Sequence, residues 1–428
     1  MNVFHYPELD ETAYRQVLPC GLKLCVVPKK GFTRKLCYLV TDYGSVHDRF
    51  TLEGREYTIP AGSAHYLEHK LFDMPGGRDV SGEFAELGAS VNAFTSYDLT
   101  AYYFTCAEHF EECLGLLLDF VYTPYFTEDS VRKEQGIIDQ EIGMNLDSPD
   151  TVVFEELTRC LYENHPIRNP ILGTRESIRE ITPDTLNLIH RAFYTPGNMM
   201  LCVLGDVEPE AVAELARRRL GDTPRPAARK LEPEEPLSVP RKRSLKRMEA
   251  AMPTFCMAFK AEPFGTGEAA IRRELAAELA AEALFGESSE LYLRLYDEGL
   301  IDSSFSGGFE TLDGCAMLLC SGDSRDPEAV TRAVQEQTRK LLREGIPQVD
   351  FLRIKRGCLG RRIRALDSFD STCFRLCAYH FSGFDYFRFP ELLRGITREE
   401  ALAVLAAACD PDRCALSVIE PIHQEETT

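Results

Sequence analysis

Five consecutive residues, His65-Tyr66-Leu67-Glu68-His69, carry the side chains best suited to chemistry in this chain. On a helix, positions i and i+4 lie on one face, about 5–6 Å apart at Cβ. Two imidazoles so placed can each offer a nitrogen to a single zinc ion at about 2.0–2.1 Å. Glu68 stands three residues after the first histidine and one before the second, so it borders the same face without being needed as a ligand. There it can take a proton from water that zinc has brought to a pKa of about 7. The order His-x-x-Glu-His is the reverse of the commoner His-Glu-x-x-His of zinc peptidases. The competing reading is a plain helix whose histidines pack or face solvent.

A catalytic zinc takes three protein ligands and keeps one position open. The stretch VRKEQGIIDQEIGMNLD offers Glu134, Asp139 and Glu141 for the third. Glu134 and Glu141 are two helical turns apart and share a face. One can therefore bind metal while the other supports it from behind. Spacing does not choose between them, and a solvated acidic face paired with Arg132 or Lys133 is the plainer reading of any one glutamate. The other histidines, His5, His47, His109, His165, His190, His380 and His423, lack metal-like spacing and are assigned to packing or the surface.

The elements that must position these groups follow from pattern. LKLCVVP (22–28) and KLCYLVTDY (35–43) read as strands. After Pro60-Ala61-Gly62, the stretch SAHYLEHKLFD predicts a helix that Ser63 can cap. VNAFTSYDLTAYYFTC predicts two strands around a turn at 96–98, and apolar residues at three- and four-residue intervals predict helices over 107–122 and 128–147. Helices at about 150–161 and 182–193, the strand NMMLCVLGDV and a helix from Pro209 complete the first half. The proline- and charge-rich stretch 222–246 reads as a linker. Beyond it, strands TFCMAFKA, SSFSGGFE, CAMLLCSGDS and RCALSVIEP alternate with helices at 268–285, 288–298, 327–344, 348–366, 369–382 and 397–408. The second half repeats the order of the first without its histidine pair, so two α+β domains of similar build are expected. Their expected bounds are 1–221 and 247–428.

The 428 residues suit two domains, and the net charge of -20 argues against a nucleic-acid partner. No apolar run approaches the roughly 20 residues of a membrane span, and the N-terminus lacks the pattern of a secretory signal. Fifteen scattered cysteines, many within apolar runs, suit buried thiols in a reducing compartment, so a cytoplasmic location is expected.

Here the sequence resembles the pitrilysin/insulinase family of zinc peptidases, the inverzincins. IPAGSAHYLEHKLF is similar to the family's ligand helix and the loop before it, and VNAFTSYDLTAYY to the strand pair that follows. KEQGIIDQEI is similar to the helix with the third ligand, and NHPIRNPILGTRESIREITPDTLNLIHRAFYTPGNMMLCVLGDV to the stretch that closes the domain. The resemblance covers most of 35–207. It implies two family-type domains, each a mostly antiparallel sheet packed with helices, and one zinc ion per chain. It assigns Glu141 as third ligand and Glu134 as the supporting carboxylate, and it implies that the strand with Asn92, Ala93 and Phe94 pairs with extended substrate. In the second half SSELYLRLYDEGLIDSSFSGG is similar to a segment where active relatives carry an Arg and, seven residues on, a Tyr that hold substrate. Arg294 is present, but position 301 is Ile; Tyr292 or Tyr296 is the candidate substitute. Similar departures occur in a bacterial branch whose members pair with a paralogue lacking the zinc motif, which implies a heterodimer of that kind or a homodimer. The implied function is zinc-dependent endoproteolysis or peptide processing. The alternatives are a non-catalytic scaffolding subunit of the same fold and a zinc hydrolase of non-peptide amides.

Overall fold

The computed structural model describes residues 1–422, so His423 lies outside the described residues. The chain divides into two compact units, each assembled from three segments. The first comprises 1–142, 170–231 and 363–388; the second comprises 143–169, 232–362 and 389–428.

The first unit is built on a seven-stranded sheet. Its strand order is Asn2–Tyr6, Glu11–Val17, Lys23–Pro28, Met199–Gly205, Lys35–Thr41, Thr100–Cys106 and Ser90–Thr95. Only the pairing of Lys23–Pro28 with Met199–Gly205 is parallel; the others are antiparallel. The second unit holds a five-stranded sheet in the order Arg243–Met248, Cys414–Pro421, Thr254–Ala261, Cys315–Asp323 and Ser306–Leu312. Its first pair is parallel and the rest antiparallel. Leaving aside the N-terminal hairpin (residues 2–17), both sheets connect their five strands in the same spatial order: first, last, second, fourth, third. The expected α+β repeat is therefore present in the topology itself. The central strands are buried on both faces, which is why LCVV, LCYLVT and MMLCVLG read as unbroken apolar runs rather than alternating ones.

The boundaries differ from the expected contiguous halves. Helix Pro149–Leu161, from the first half of the sequence, buries Val152, Val153, Leu157 and Leu161 and packs on strands Cys414–Pro421 and Thr254–Ala261 of the second unit. Helix Phe369–Phe381, from the second half, buries Phe369, Cys373, Leu376 and Cys377 and packs on strands Met199–Gly205 and Lys35–Thr41 of the first. Each sheet thus takes one covering helix from the other half of the sequence, because its second apolar face must also leave water.

The stretch 222–246 is more structured than a linker reading implies. Arg229–Lys230 pairs with strand Arg49–Leu52, and Arg243–Met248 is a full strand. Between them, the Glu235 carboxylate accepts from the backbone N–H groups of Glu163 (2.9 Å), Asn164 (2.7 Å) and His165 (2.7 Å). It also pairs at 2.5 Å with the Lys260 ammonium, which is 2% exposed and further donates to the carbonyls of Leu161 and Pro236. A buried cation so surrounded has its charge and its protons satisfied.

His190 illustrates a histidine used for packing. It stacks on Tyr194 at 5.2 Å, and its Nε2–H donates to the Val121 carbonyl at 2.9 Å. Burial pushes its pKa down to about 4; the hydrogen bond opposes this and the charge of Arg225 adds to it. The folded value lies below the roughly 6.5 of an unfolded histidine. The unfolded chain therefore binds the proton first, and stability present above that value is lost as pH falls toward the folded one. Between about pH 7 and pH 5 this site should cost the folded state about 2 kcal/mol. Urea unfolding of the wild type and of His190→Gln at the two pH values checks this; equal pH slopes in both would refute it.

Candidate zinc centre

The ligand helix runs Ser63–Leu71 and is buried at every position except His69, which is half-buried. Leu67 and Leu71 are fully buried, a contribution of about 1.5–3 kcal/mol each. The helix is not capped by Ser63 as expected. Gly62 occupies the cap with φ 89°, and the Ser63 hydroxyl instead donates to the Pro60 carbonyl at 2.7 Å. A Cβ at Gly62 would lie 2.4 Å from the Leu172 carbonyl oxygen, so glycine is required twice over, for its backbone angle and for the close approach. The reciprocal contact is made by Ser177, whose hydroxyl donates to the Ala61 carbonyl at 2.8 Å. The ILGTRES segment thereby fixes the start of the ligand helix.

The second element is helix Glu128–Leu146, held with Val131, Ile138 and Ile142 in the core. The Tyr66 hydroxyl donates to the Val131 carbonyl, Gln135 Nε2 donates to the Ile178 carbonyl at 3.0 Å, and Asp139 pairs with Arg175 at 3.3 Å. These contacts set the helix in register against Ser63–Leu71.

In that register the three acidic candidates separate. Glu141 Oε1 lies 3.7 Å from His65 Nε2, and its Oε2 lies 3.7 Å from His69 Nε2. Glu134 Oε1 lies 2.9 Å from His69 Nδ1, on the far side of the ring. Asp139 is turned away to Arg175. One donor atom each from His65, His69 and Glu141 lies within 4.8 Å of the others. Ligand atoms about 2.0–2.1 Å from a tetrahedral zinc would be about 3.4 Å apart, so the set fits that ion with small adjustments. Glu134 stands where metal-binding histidines commonly keep an outer carboxylate that fixes their tautomer, beside Nδ1 of His69, while Nε2 faces Glu141.

The electrostatics treat the two histidines differently. Burial, with the neighbouring His69 adding to it, pushes the His65 pKa down to about 3, so the imidazole is neutral, as a ligand must be. Burial also opposes charge on His69, but the Glu134 hydrogen bond and the charges of Glu68, Glu134 and Glu141 outweigh it and raise its pKa. Glu68 is 7% exposed, and burial raises its pKa; the Thr95 hydrogen bond and His69 oppose this, and the Glu141 charge adds to it. A raised carboxylate pKa suits a proton acceptor working near neutrality.

Among the described residues, strand Ser90–Thr95 is the outer strand of its sheet, paired only with Thr100–Cys106. Side chains alternate along it. Val91 and Ala93 pack against the core beside the ligand helix, and Thr95 Oγ1 donates to Glu68 Oε2 at 2.6 Å. Phe94 projects from the opposite face, against Phe374 at 5.9 Å and Tyr103 at 6.2 Å. Asn92 shares that face, and its Oδ1 accepts from the Ala93 N–H at 2.8 Å. Asn92 and Phe94 therefore offer backbone, not side chains, on the metal side. Thr95 was not singled out from the sequence, although the same alternation puts it on the face of Ala93.

The other candidates belong to the second unit. Arg294 is exposed on helix Glu290–Asp297. Tyr292 and Tyr296 stack on one another at 5.9 Å, and Tyr292 also meets Phe305 at 6.0 Å. Ile301 is 5% exposed, a core position rather than a substrate-facing one.

Comparison with known proteins places these features in a family. The profile described as Insulinase (Peptidase family M16) matches residues 38–175, and that described as Peptidase M16 inactive domain matches residues 180–358. A relative named uncharacterized zinc protease YmfH, from Bacillus subtilis (strain 168), is 36% identical over 426 residues, covering 97% of this chain and 98% of its own. A second from the same organism, uncharacterized zinc protease YmxG, is 26% identical over 322 residues, covering 73% and 76%. A crystal structure described as M16-like, from Alicyclobacillus acidocaldarius, superposes with a TM-score of 0.93 at 32% identity, covering 97% of this chain and all (100%) of that one. With a fold, a domain order and a full-length relative in common, this chain belongs to the pitrilysin/insulinase family, peptidase family M16.

Proposed function

We infer that the chain is a zinc-dependent endopeptidase or processing peptidase that cleaves peptides bound as an added β-strand. The observation that carries this reading is the convergence of His65, His69 and Glu141 from two helices, with buried Glu68 beside them. Zinc held by those three side chains would supply a Lewis acid that acidifies water and polarises an amide carbonyl.

The chain's own residues supply the rest. An extended peptide would align with free backbone groups of the outer strand Ser90–Thr95, displacing the Asn92 amide from the Ala93 N–H. Glu68 would take the proton from water and return it to the leaving amine. Glu134 would hold the His69 ring in the ligating tautomer through its hydrogen bond to Nδ1. Arg294 is assigned a supporting contact with substrate. A cytoplasmic location, and a homodimer or a heterodimer with a paralogue lacking the zinc motif, complete the proposal. None of the described helices is long and apolar enough to cross a membrane.

The second reading, a non-catalytic subunit of the same fold, is favoured by the burial of Ile301 where active relatives are expected to present a Tyr. Metal analysis with a peptide-library digest separates the two. The peptidase reading expects about one zinc per chain and cleavage that a chelator abolishes, by the protein alone or with its paralogue. Bound zinc without cleavage in either preparation would favour the scaffold.

A further inference from the structure

We propose that Thr95 is a positioning residue that orients the Glu68 carboxylate, so that one strand sets both the register of the substrate and the aim of the proton acceptor. This role rests on the peptidase reading above. Thr95 Oγ1 donates to Glu68 Oε2 at 2.6 Å, and Thr95 is the one hydrogen-bond partner of that carboxylate among the described residues. The second oxygen, Oε1, is left as the acceptor.

Thr95 is itself held firmly. It pairs with Thr100, which is fully buried and donates from Oγ1 to the Tyr43 carbonyl at 2.9 Å. The turn that follows is closed by the Ser96 N–H donating to the Leu99 carbonyl at 2.8 Å and the Ser96 hydroxyl donating to Asp98 at 2.7 Å. The backbone that carries the Thr95 hydroxyl is therefore fixed, so the hydroxyl is a stationary anchor for the carboxylate it bonds. The terminal torsion of a glutamate is otherwise broad and roughly two-fold, so an unheld Glu68 would spend much of its time misdirected.

The same strand offers its outer edge to an extended peptide. Backbone pairing there fixes which amide bond faces the acceptor, while Thr95 fixes the acceptor relative to the identical backbone. Misplacement by about 1 Å can cost roughly 100-fold in rate. Losing Thr95's hydroxyl should therefore act on kcat rather than on KM, because the backbone that binds substrate is unchanged.

The test uses the full-length zinc-loaded protein and a peptide cut in the library digest. Thr95→Val, which keeps the shape and removes the hydroxyl, should lower kcat about 10- to 100-fold, with KM nearly unchanged and zinc content equal to wild type. Thr95→Ser, which restores the hydroxyl, should recover most of the loss. In parallel, the infrared carboxylate band of Glu68, isolated by difference against Glu68→Gln, should shift in Thr95→Val and stay in place in Thr95→Ser. A fully active Thr95→Val, a Thr95→Ser as impaired as Thr95→Val, or an unshifted band would overturn this role alone. A wild type without turnover would overturn the peptidase reading and this role with it.

Discussion

Glu68→Gln should reduce peptide hydrolysis by about 10²- to 10⁴-fold while the protein still holds its zinc. The substitution keeps the length of the side chain and can still accept the Thr95 hydroxyl hydrogen bond through its amide oxygen. What it removes is a buried carboxylate able to gain and return a proton. Because His65, His69 and Glu141 are untouched, metal content should match wild type, and this separates a chemical defect from a structural one. Turnover should be followed on a defined peptide beside metal analysis of the same preparation. A Glu68→Gln enzyme with wild-type kcat would remove Glu68 from the reaction.

The second large effect concerns helix Glu128–Leu146, which carries the proposed third ligand. Glu141→Gln should weaken zinc binding by more than about 100-fold, whereas Glu134→Gln should weaken it about 10- to 100-fold. Asp139→Asn should leave it unchanged. The order follows from geometry: Glu141 lies 3.7 Å from both Nε2 atoms, Glu134 reaches only Nδ1 of His69, and Asp139 is paired with Arg175. Competition against a fluorescent zinc chelator measures all three. An Asp139 variant that loses metal while the Glu141 variant keeps it would invert the assignment.

These three carboxylates also show what could be read before the structure. The histidine pair and Glu68 were legible because an i, i+4 spacing on one helix fixes a local geometry that no tertiary contact can alter. The third ligand was not, since Glu134 and Glu141 share a face two turns apart, and choosing between them requires the register between two helices. That register is set by the Tyr66–Val131, Gln135–Ile178 and Asp139–Arg175 contacts, which link residues distant in sequence. The resemblance to the family implies Glu141, and Glu141 is the carboxylate that lies 3.7 Å from both Nε2 atoms.

Local patterns erred where a distant segment decided the outcome. Ser63 has the right chemistry for a cap, but the approach of the Leu172 carbonyl demands a glycine with positive φ at the preceding position. The hairpin of Asn2–Tyr6 and Glu11–Val17 carries no long apolar run and was missed. The stretch 222–246 looked solvated from its prolines and charges, yet Glu235 is tied down by three backbone N–H groups and a buried lysine.

The reciprocal placement of helices Pro149–Leu161 and Phe369–Phe381 has a consequence for how this protein can be made and can fail. A fragment expressed alone from either side of residue 230 would present a bare hydrophobic sheet to water and carry an orphaned amphipathic helix with nothing to lie on. Two such fragments produced together would complement each other, each lending the covering the other lacks. The molecule is thus a duplicated design whose copies have become mutually obligate: the first cannot complete its interior before helix Phe369–Phe381 has been made, nor the second before strand Cys414–Pro421.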